Sequence, residues 1–130
     1  MTHTGNILLV DDDKFLLDMY SMKFVQEGYN VQACLSGHDA VAALKTGFVP
    51  DAILFDLTMP ECDGFEFLRI LSAEGLAKQS LKIALTNQST DTEKQKVLEL
   101  GADQFLVKAT LIPSEVVNTV NTALSGRVSA

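Results

Sequence analysis

Short apolar runs alternate along the chain with longer segments of mixed polarity. The apolar runs fall at 6–10, 30–34, 52–56, 81–86 and 104–107. Runs of this length that are rich in Val, Ile, Leu and Phe are typical of β-strands. The stretches ILLV and AILF are apolar without interruption, which predicts strands covered on both faces of a sheet.

The segments between these runs are predicted to be helices, at about 14–27, 37–47, 64–74, 90–100 and 114–124. Short polar residues that can cap the helix N-termini are Asp13, Ser36, Ser89 or Thr90, and Ser114. Glycines stand where four of the helices should end, at Gly28, Gly47, Gly75 and Gly101. The first helix has an apolar stripe that is predicted to face the core, made of Leu16, Met19, Tyr20 and Phe24.

Five strand–helix units in succession predict an α/β fold with a parallel sheet. Right-handed crossovers between the strands would place helices on both faces, which makes the sheet doubly wound. A chain of 130 residues has the usual length of one domain, so we expect a single domain over 1–130. In such sheets, reactive groups gather beyond the carboxyl ends of the strands.

The composition narrows the possible partners of the chain. No apolar stretch approaches the roughly 20 residues that a membrane-spanning helix needs, so we expect no membrane partner and a cytoplasmic location. The net charge of −7 disfavours direct contact with nucleic acid, because neutralising phosphates requires clustered Lys and Arg side chains. Cys34 and Cys62 have no metal-ligand spacing, and we expect two reduced thiols.

Polar residues follow four of the predicted strands. The first strand ends at Asp11-Asp12-Asp13, the third at Asp56, the fourth at Thr86, and the fifth continues into Lys108. Carboxylates that crowd together repel each other unless a cation lies between them, and Mg²⁺ prefers such oxygen ligands. With the ion bound, Asp56 could attack phosphorus as a nucleophile, while Lys108 and Thr86 share the charge of the phosphoryl group.

Four segments resemble, in order and spacing, the receiver domains of two-component response regulators, and the chemotaxis-type single-domain regulators among them. The segments are LLVDDD, DAILFDLTMPECDGFEFL, ALTN and GADQFLVK, and the resemblance covers about 6–124. It implies a flavodoxin-like (βα)5 fold with the strand order 2-1-3-4-5. It also implies a signalling switch with Mg²⁺ as cofactor, phosphorylated on Asp56 by a histidine kinase or histidine phosphotransfer protein and acting on an unknown downstream protein.

The resemblance assigns roles to individual residues of the metal site. Asp12 matches the direct Mg²⁺ ligand, and Asp11 matches an acid that acts mainly through water. Asp56 matches the phosphoacceptor and a further ligand. The backbone carbonyl of Thr58 matches the third protein ligand.

The resemblance also implies a conformational switch and two departures from the family pattern. Lys108 matches the phosphate-binding lysine, Thr86 the switch hydroxyl and Phe105 the switch aromatic residue. Ala109 stands where the family has proline after a cis peptide bond, and because a cis bond before alanine costs about 2.5–4 kcal/mol, we expect a trans bond. Asn87 stands where the family prefers a smaller residue, and its side chain either narrows the pocket or contacts the phosphate.

Two apolar residues of the first helix lie off the core stripe. Phe15 and Met22 are seven positions apart and could form an exposed patch beside the active edge of the sheet. Receiver families dock their phosphodonor helices there, so the patch is a candidate docking surface. The alternative is partial burial of both side chains against a neighbouring loop.

Three other functions stay open at this point. A receiver-like interaction module that is never phosphorylated would explain Ala109 and Asn87, although the acidic residues and Lys108 disfavour it. A phosphatase with an aspartyl nucleophile would require a second acid where Thr58 stands. Nucleotide binding lacks a glycine-rich phosphate loop. We therefore expect a protein that is not an enzyme beyond its own phosphorylation and dephosphorylation.

Overall fold

The structure, a computed structural model, describes residues 5–87, 90–108 and 112–128, with the side chains described as far as residue 126. The elements in chain order are β1 (Asn6–Val10), α1 (Lys14–Gln26), β2 (Asn30–Cys34), α2 (Gly37–Lys45), β3 (Ala52–Asp56), α3 (Gly64–Glu74), β4 (Leu81–Thr86), α4 (Asp91–Glu99), β5 (Gln104–Val107) and α5 (Pro113–Val128). Within these residues, no helix combines the length and the apolarity that crossing a membrane demands.

The five strands form one parallel sheet in the order β2-β1-β3-β4-β5. The predicted α/β fold and the strand order implied by the resemblance are therefore confirmed. The strands at the centre, β1, β3 and β4, are almost fully buried, in agreement with their unbroken apolar sequences. Since the chain reverses its direction of winding after β2, the carboxyl ends of β1 and β3 flank the crevice where such sheets hold their ligands.

Each face of the sheet has its own hydrophobic core. The first core lies between the sheet and α2, α3 and α4, and its largest fully buried side chains are Phe55, Phe67, Leu8, Ile53, Leu68 and Leu71. The second core lies between the sheet and α1 and α5, and its buried side chains include Phe24, Ile7, Leu54, Ile83, Val116 and Val120. Alternate residues of each strand enter opposite cores, as the two-residue period of a strand requires.

Side-chain caps begin most of the helices where the sequence predicts them. Asp13, Ser36 and Thr90 accept hydrogen bonds from backbone N–H groups in the first turns of α1, α2 and α4. The prediction for Ser114 is wrong, because α5 begins one residue earlier, at Pro113. Proline fits the first helical position, since its missing N–H would have no partner inside the helix there.

Helix α1 is rotated slightly from its predicted orientation. Leu17, Tyr20 and Phe24 are buried, whereas Leu16 and Met19 flank them and stay partly exposed. These three buried residues have the spacing i, i+3 and i+7, which makes a narrower stripe than the predicted one. The stripe faces the second core. The predicted stripe thus contained two of the three buried residues and missed Leu17.

Both cysteines are free thiols buried in the first core, and Cys62 packs against the start of α2. A Cβ added to Gly37, the first residue of that helix, would lie 2.6 Å from Cys62 Sγ and 3.1 Å from the Cys62 carbonyl oxygen. Because Cys62 lies between β3 and α3, this contact fixes the loop that follows Asp56 against α2.

Gly37→Ala is expected to lower the free energy of unfolding by about 1–3 kcal/mol, the usual cost of overpacking a core. Adding Cys62→Ala removes the sulfur that the new methyl group meets, so the double variant should regain part of the loss. Urea denaturation of the two single variants and the double variant measures this. Fully additive losses would show that the two side chains do not interact.

Candidate functional site

The carboxyl ends of four strands bring the candidate residues to one edge of the sheet. Asp11 and Asp12 follow β1, Asp56 and Thr86 end β3 and β4, and Lys108 follows β5. One carboxylate oxygen from each of Asp11, Asp12 and Asp56 lies within 4.8 Å of the other two. The structure therefore places in one cluster three acids that are separated by up to 45 positions in the sequence.

Lys108 follows the edge strand β5 and contacts two acids of this cluster. Its Nζ lies 2.6 Å from Asp11 Oδ2 and 3.5 Å from Asp56 Oδ2, and its side chain is only 6% exposed. Burial by itself would lower the pKa of Lys108, but the hydrogen bond to Asp11 and the charges of Asp56 and Asp11 together raise it above its usual value. Lys108 is therefore an ammonium held inside the site.

Both carboxylate oxygens of Asp11 already accept hydrogen bonds. Oδ1 accepts from the backbone N–H of Asp13 at 2.9 Å, and Oδ2 accepts from Lys108 at 2.6 Å. The backbone N–H of Asp11 donates to the carbonyl of Cys34 at 3.1 Å, which ties the residue to β2. Asp12, by contrast, is exposed. A cation at this edge would meet Asp12 more readily than Asp11.

Asp56 is buried at the end of β3, and this burial dominates its electrostatics. Burial raises its pKa from 3.8 to about 6, and the neighbouring charges of Asp11 and Asp12 act in the same direction. Lys108 and a long hydrogen bond of 3.4 Å from the Thr58 N–H to Oδ1 oppose the shift only in part. A divalent cation beside Asp56 would favour its ionised form.

Gly64 packs directly against the backbone of Asp56 and Leu57. Its N–H donates to the Leu57 carbonyl at 3.0 Å, and α3 begins there with Asp63 as its N-cap. A Cβ added to Gly64 would lie 2.8 Å from the carbonyl oxygen of Asp56 and 2.9 Å from Leu57 Cα. Only glycine fits this approach of two backbones, which holds the turn after β3 in place.

The two candidate switch residues lie on the same face of neighbouring strands. Thr86 is buried at the end of β4, and Phe105 is partly buried against the first core. Phe105 pairs with Ala84, two residues before Thr86, so the side chains of Thr86 and Phe105 leave the sheet on the same side. Both side chains therefore project from the same face of two neighbouring strands.

The donor atoms of the cluster fit a hard divalent cation. They are carboxylate oxygens, which Mg²⁺ prefers to nitrogen or sulfur. Carboxylates this close repel one another, and Lys108 supplies the single ammonium that contacts them among the described residues. The chemistry of the site thus agrees with the Mg²⁺ predicted from the sequence.

The remaining candidates lie around this cluster or outside the described residues. Phe15 is 76% exposed and Met22 is 61% exposed, so the predicted apolar patch on α1 is at the surface and the alternative of partial burial is wrong. Asn87 is exposed, and Thr58 is exposed beside Asp56. Ala109, with the predicted trans bond that precedes it, lies outside the described residues.

Sequence reasoning missed two features of the site. It assigned Lys108 to the phosphate but did not anticipate that Asp11 would be its nearer partner. It also did not anticipate the contact of Gly64 with Asp56 and Leu57. The glycine after a helix-capping aspartate was the available signal, since glycine at a helix start is otherwise an unusual choice.

Comparisons with known proteins agree with the geometry. The family model described as response regulator receiver domain matches residues 7–121. Response regulator SaeR of Staphylococcus aureus is 31% identical over 125 residues, covering 96% of this chain and 51% of SaeR. The alkaline phosphatase synthesis transcriptional regulatory protein SphR of Synechococcus elongatus is 32% identical over 112 residues, covering 80% of this chain and 43% of SphR. The chain spans about half the length of these curated relatives.

A solved structure supports the fold independently. The crystal structure of a CheY-like response regulator receiver domain protein from Methanospirillum hungatei has a TM-score of 0.85 to this chain. The superposition covers 98% of each chain at 24% sequence identity. At that identity the likeness concerns the arrangement of strands and helices.

Proposed function

The chain belongs to the response regulator receiver domain family, and from this premise we propose that Asp56 accepts a phosphoryl group in a Mg²⁺-dependent reaction that switches a signalling surface. The observation that carries the proposal is the position of Asp56, buried between the other two acids and Lys108. The donor is a histidine kinase or a histidine phosphotransfer protein. The intact acidic cluster disfavours a module that is never phosphorylated.

The residues proposed to hold Mg²⁺ are Asp12, Asp56 and the backbone carbonyl of Thr58, with Asp11 acting through water. The family resemblance gives this assignment, and two observations support it: Asp12 is exposed, and both carboxylate oxygens of Asp11 already accept hydrogen bonds. When bound, Mg²⁺ supplies positive charge that offsets the repulsion between the carboxylates and the incoming phosphoryl group.

The reaction itself requires few groups from the protein. An Asp56 carboxylate oxygen forms a bond to phosphorus while the bond between phosphorus and the donor's leaving group breaks, and the leaving group departs with that electron pair. Lys108 turns from Asp11 toward the phosphoryl oxygens, and the Thr86 hydroxyl donates a hydrogen bond to one of them. Both groups stabilise charge that develops on the oxygens during transfer.

Phosphorylation then changes the relative stability of two states of the surface. Thr86 moves toward the phosphoryl group, and Phe105 on the neighbouring strand takes up the space that it leaves. The phosphoryl group can shift the equilibrium only by the difference in its contacts with the two states. The surface formed by α4, β5 and α5 is the part of the chain that would present this change to an unknown downstream protein.

The remaining sequence predictions extend this proposal. We treat residues 1–130 as one receiver domain, and its net charge of −7 disfavours direct contact with nucleic acid. The protein modifies only itself and is not an enzyme acting on other substrates. The cytoplasmic location and the absence of a membrane partner stay predictions.

Phosphorylation with a small-molecule donor such as acetyl phosphate tests the proposal, with intact mass as the measurement. The expected result is a gain of one phosphate that requires both Mg²⁺ and Asp56. Asp56→Ala tests the second requirement, and Asp18→Ala, at an exposed site on α1, is the matched control that should still gain phosphate. A protein that gains no phosphate under any condition would support the interaction module instead.

Phe15→Asp is expected to slow phosphoryl transfer from a histidine phosphotransfer protein by at least about tenfold, the effect of losing an apolar hot spot at an interface. The rate of transfer from acetyl phosphate should be unchanged, because Phe15 takes no part in the proposed reaction. The control is Val49→Asp, which changes an equally exposed apolar residue, 71% exposed, before the opposite end of β3. Equal transfer rates for both variants would remove the α1 patch from the proposal.

A further inference from the structure

A cleft opens at the amino-terminal edge of the sheet, opposite the edge that carries Asp56. It lies between the carboxyl-terminal half of α3, the start of β4 and the end of α4, and its volume is about 250 Å³. Four leucines form its apolar wall, of which Leu68 and Leu71 are buried and Leu76 and Leu100 are partly buried. Sites for drug-sized ligands measure roughly 300–1,000 Å³, so this cleft suits a smaller molecule.

Among the described residues, two lysines and no acid line the cleft, in a chain that has 17 acidic and 10 basic residues. The first lysine is Lys82 of β4. Its Nζ donates hydrogen bonds to the backbone carbonyls of Ala77 at 2.9 Å and Ser80 at 3.1 Å, which hold the ammonium in place. A ligand loses less free energy on binding to a charge that is already fixed, because that side chain need not be ordered.

The second lysine, Lys78, folds back over the end of α3. That helix ends at Gly75, whose φ of 66° is in the left-handed region. A Cβ added to Gly75 would lie 3.3 Å from Lys78 Cε and 3.8 Å from Lys78 Nζ, so the glycine leaves the space that the lysine uses. The Lys78 ammonium makes no hydrogen bond or ion pair with another described residue. It is therefore available to an anion in the cleft.

The negative groups around the cleft do not cancel these two charges. The carboxyl end of a helix carries about half a negative charge, so the ends of α3 and α4 together offset about one of the two ammonium charges. Acids that flank the lining residues in the sequence are already engaged. Glu74 is paired with Lys45 at 2.7 Å. Glu99 and Asp103 accept hydrogen bonds from other groups. The cleft therefore favours an anion over a cation.

We propose that this cleft binds a small apolar acid, with the carboxylate between Lys78 and Lys82 and the apolar body against the four leucines. The carboxylate complements the two ammonium groups, and the apolar body covers Leu76 and Leu100, which are partly exposed to water. A bound acid contacts α3 and α4 together. The site is separate from the edge that carries Asp56, and the inference does not depend on phosphorylation.

Titration of the isotope-labelled chain with naphthylacetate, followed by the NMR shifts of its backbone amides, tests the proposal. We expect saturable shifts at the residues that line the cleft and unchanged signals around Asp56. Naphthylacetamide has the same ring and no charge, and it should bind at least about fivefold more weakly, as the loss of two surface ion pairs implies. Equal affinity for the acid and the amide, or no saturable shift at the cleft, overturns the inference.

Two variants separate the apolar part of the cleft from its charge. Ser72 is an exposed residue of α3 that lines the cleft, so Ser72→Phe should fill the space and abolish saturable binding. Lys78→Met should weaken binding of the acid about threefold to fivefold and leave binding of the amide unchanged. Lys94→Met is the matched control, because Lys94 is an exposed lysine of α4 outside the cleft, and it should bind the acid as the wild type does.

The controls also identify other causes of the shifts. If Lys94→Met loses as much affinity as Lys78→Met, the acid responds only to the charge of the whole chain, and the inference is overturned. Shifts at the cleft that depend on protein concentration without the acid would assign the cleft to a second copy of the chain and would also overturn it. If Ser72→Phe does not fold, the comparison of acid and amide on Lys78→Met still decides the outcome.

Discussion

Gly64→Ala is expected to abolish phosphate uptake on Asp56 and to lower the free energy of unfolding by about 3 kcal/mol, at the upper end of the cost of overpacking. The new methyl group would meet the Asp56 carbonyl oxygen at 2.8 Å and Leu57 Cα at 2.9 Å. Backbone atoms cannot rotate away as a flexible side chain does. The turn after β3 must therefore shift, and Asp56, the proposed nucleophile, must shift with it.

The variant Gly126→Ala is the matched control for this prediction. Gly126 lies in α5, and a Cβ added there meets no atom within 4 Å. Alanine at a helical position with free space stabilises a protein by about 0.5–1 kcal/mol. Urea denaturation and intact mass after treatment with acetyl phosphate measure both variants. Wild-type phosphorylation of Gly64→Ala would show that the turn can move without consequence for the site.

The strands of this fold could be predicted closely from the sequence. Their bounds agree with the predicted runs because each run is short and carries branched or apolar residues, most clearly in AILFD of β3. Helix ends were less certain, as Ser114 shows, since proline and serine can both begin a helix and local sequence does not decide between them.

The candidate site could be predicted in its membership but not in its internal contacts. Strand ends of a parallel sheet meet at one edge, which brings Asp11, Asp56 and Lys108 together whatever their separation in sequence. Which acid the lysine contacts depends on side-chain directions and on competing hydrogen bonds, such as that of Asp13 N–H with Asp11. The contact of Gly64 depends on the separation of two backbones. A sequence pattern gives neither the directions of side chains nor the distance between two backbones.

Asp56→Asn is expected to stabilise the metal-free protein at pH 7 by about 2–3 kcal/mol, from a pKa shift of about two units at 1.36 kcal/mol per unit. The pKa of Asp56 is raised by burial from 3.8 to about 6, so the fold disfavours the carboxylate that exists at pH 7. Asparagine has a similar shape and no charge to bury. The same change removes the proposed phosphoacceptor, so the stabilised variant should take up no phosphate.

The stabilisation by Asp56→Asn should depend on pH and on Mg²⁺, because both change the cost of the buried Asp56 charge. Because the pKa of the folded state lies above that of the unfolded state, wild-type stability falls as the pH rises from about 4 to about 6, and the advantage of the variant grows over the same range. Mg²⁺ is expected to bind the folded wild type and so to offset that advantage by mass action.

Urea denaturation at pH 4, 6 and 7, with and without Mg²⁺, measures this difference. Asp18→Asn serves as an exposed control, expected to change the free energy of unfolding by less than about 0.5 kcal/mol at each pH. A constant difference between Asp56→Asn and the wild type across this range would mean that burial of the carboxylate costs the fold nothing. A cation at this edge would then be needed only to offset the charge of the phosphoryl group. A difference that grows with pH and shrinks with Mg²⁺ would instead show that the buried charge of Asp56 destabilises the metal-free protein. Binding of the cation would then be favoured because it offsets that charge.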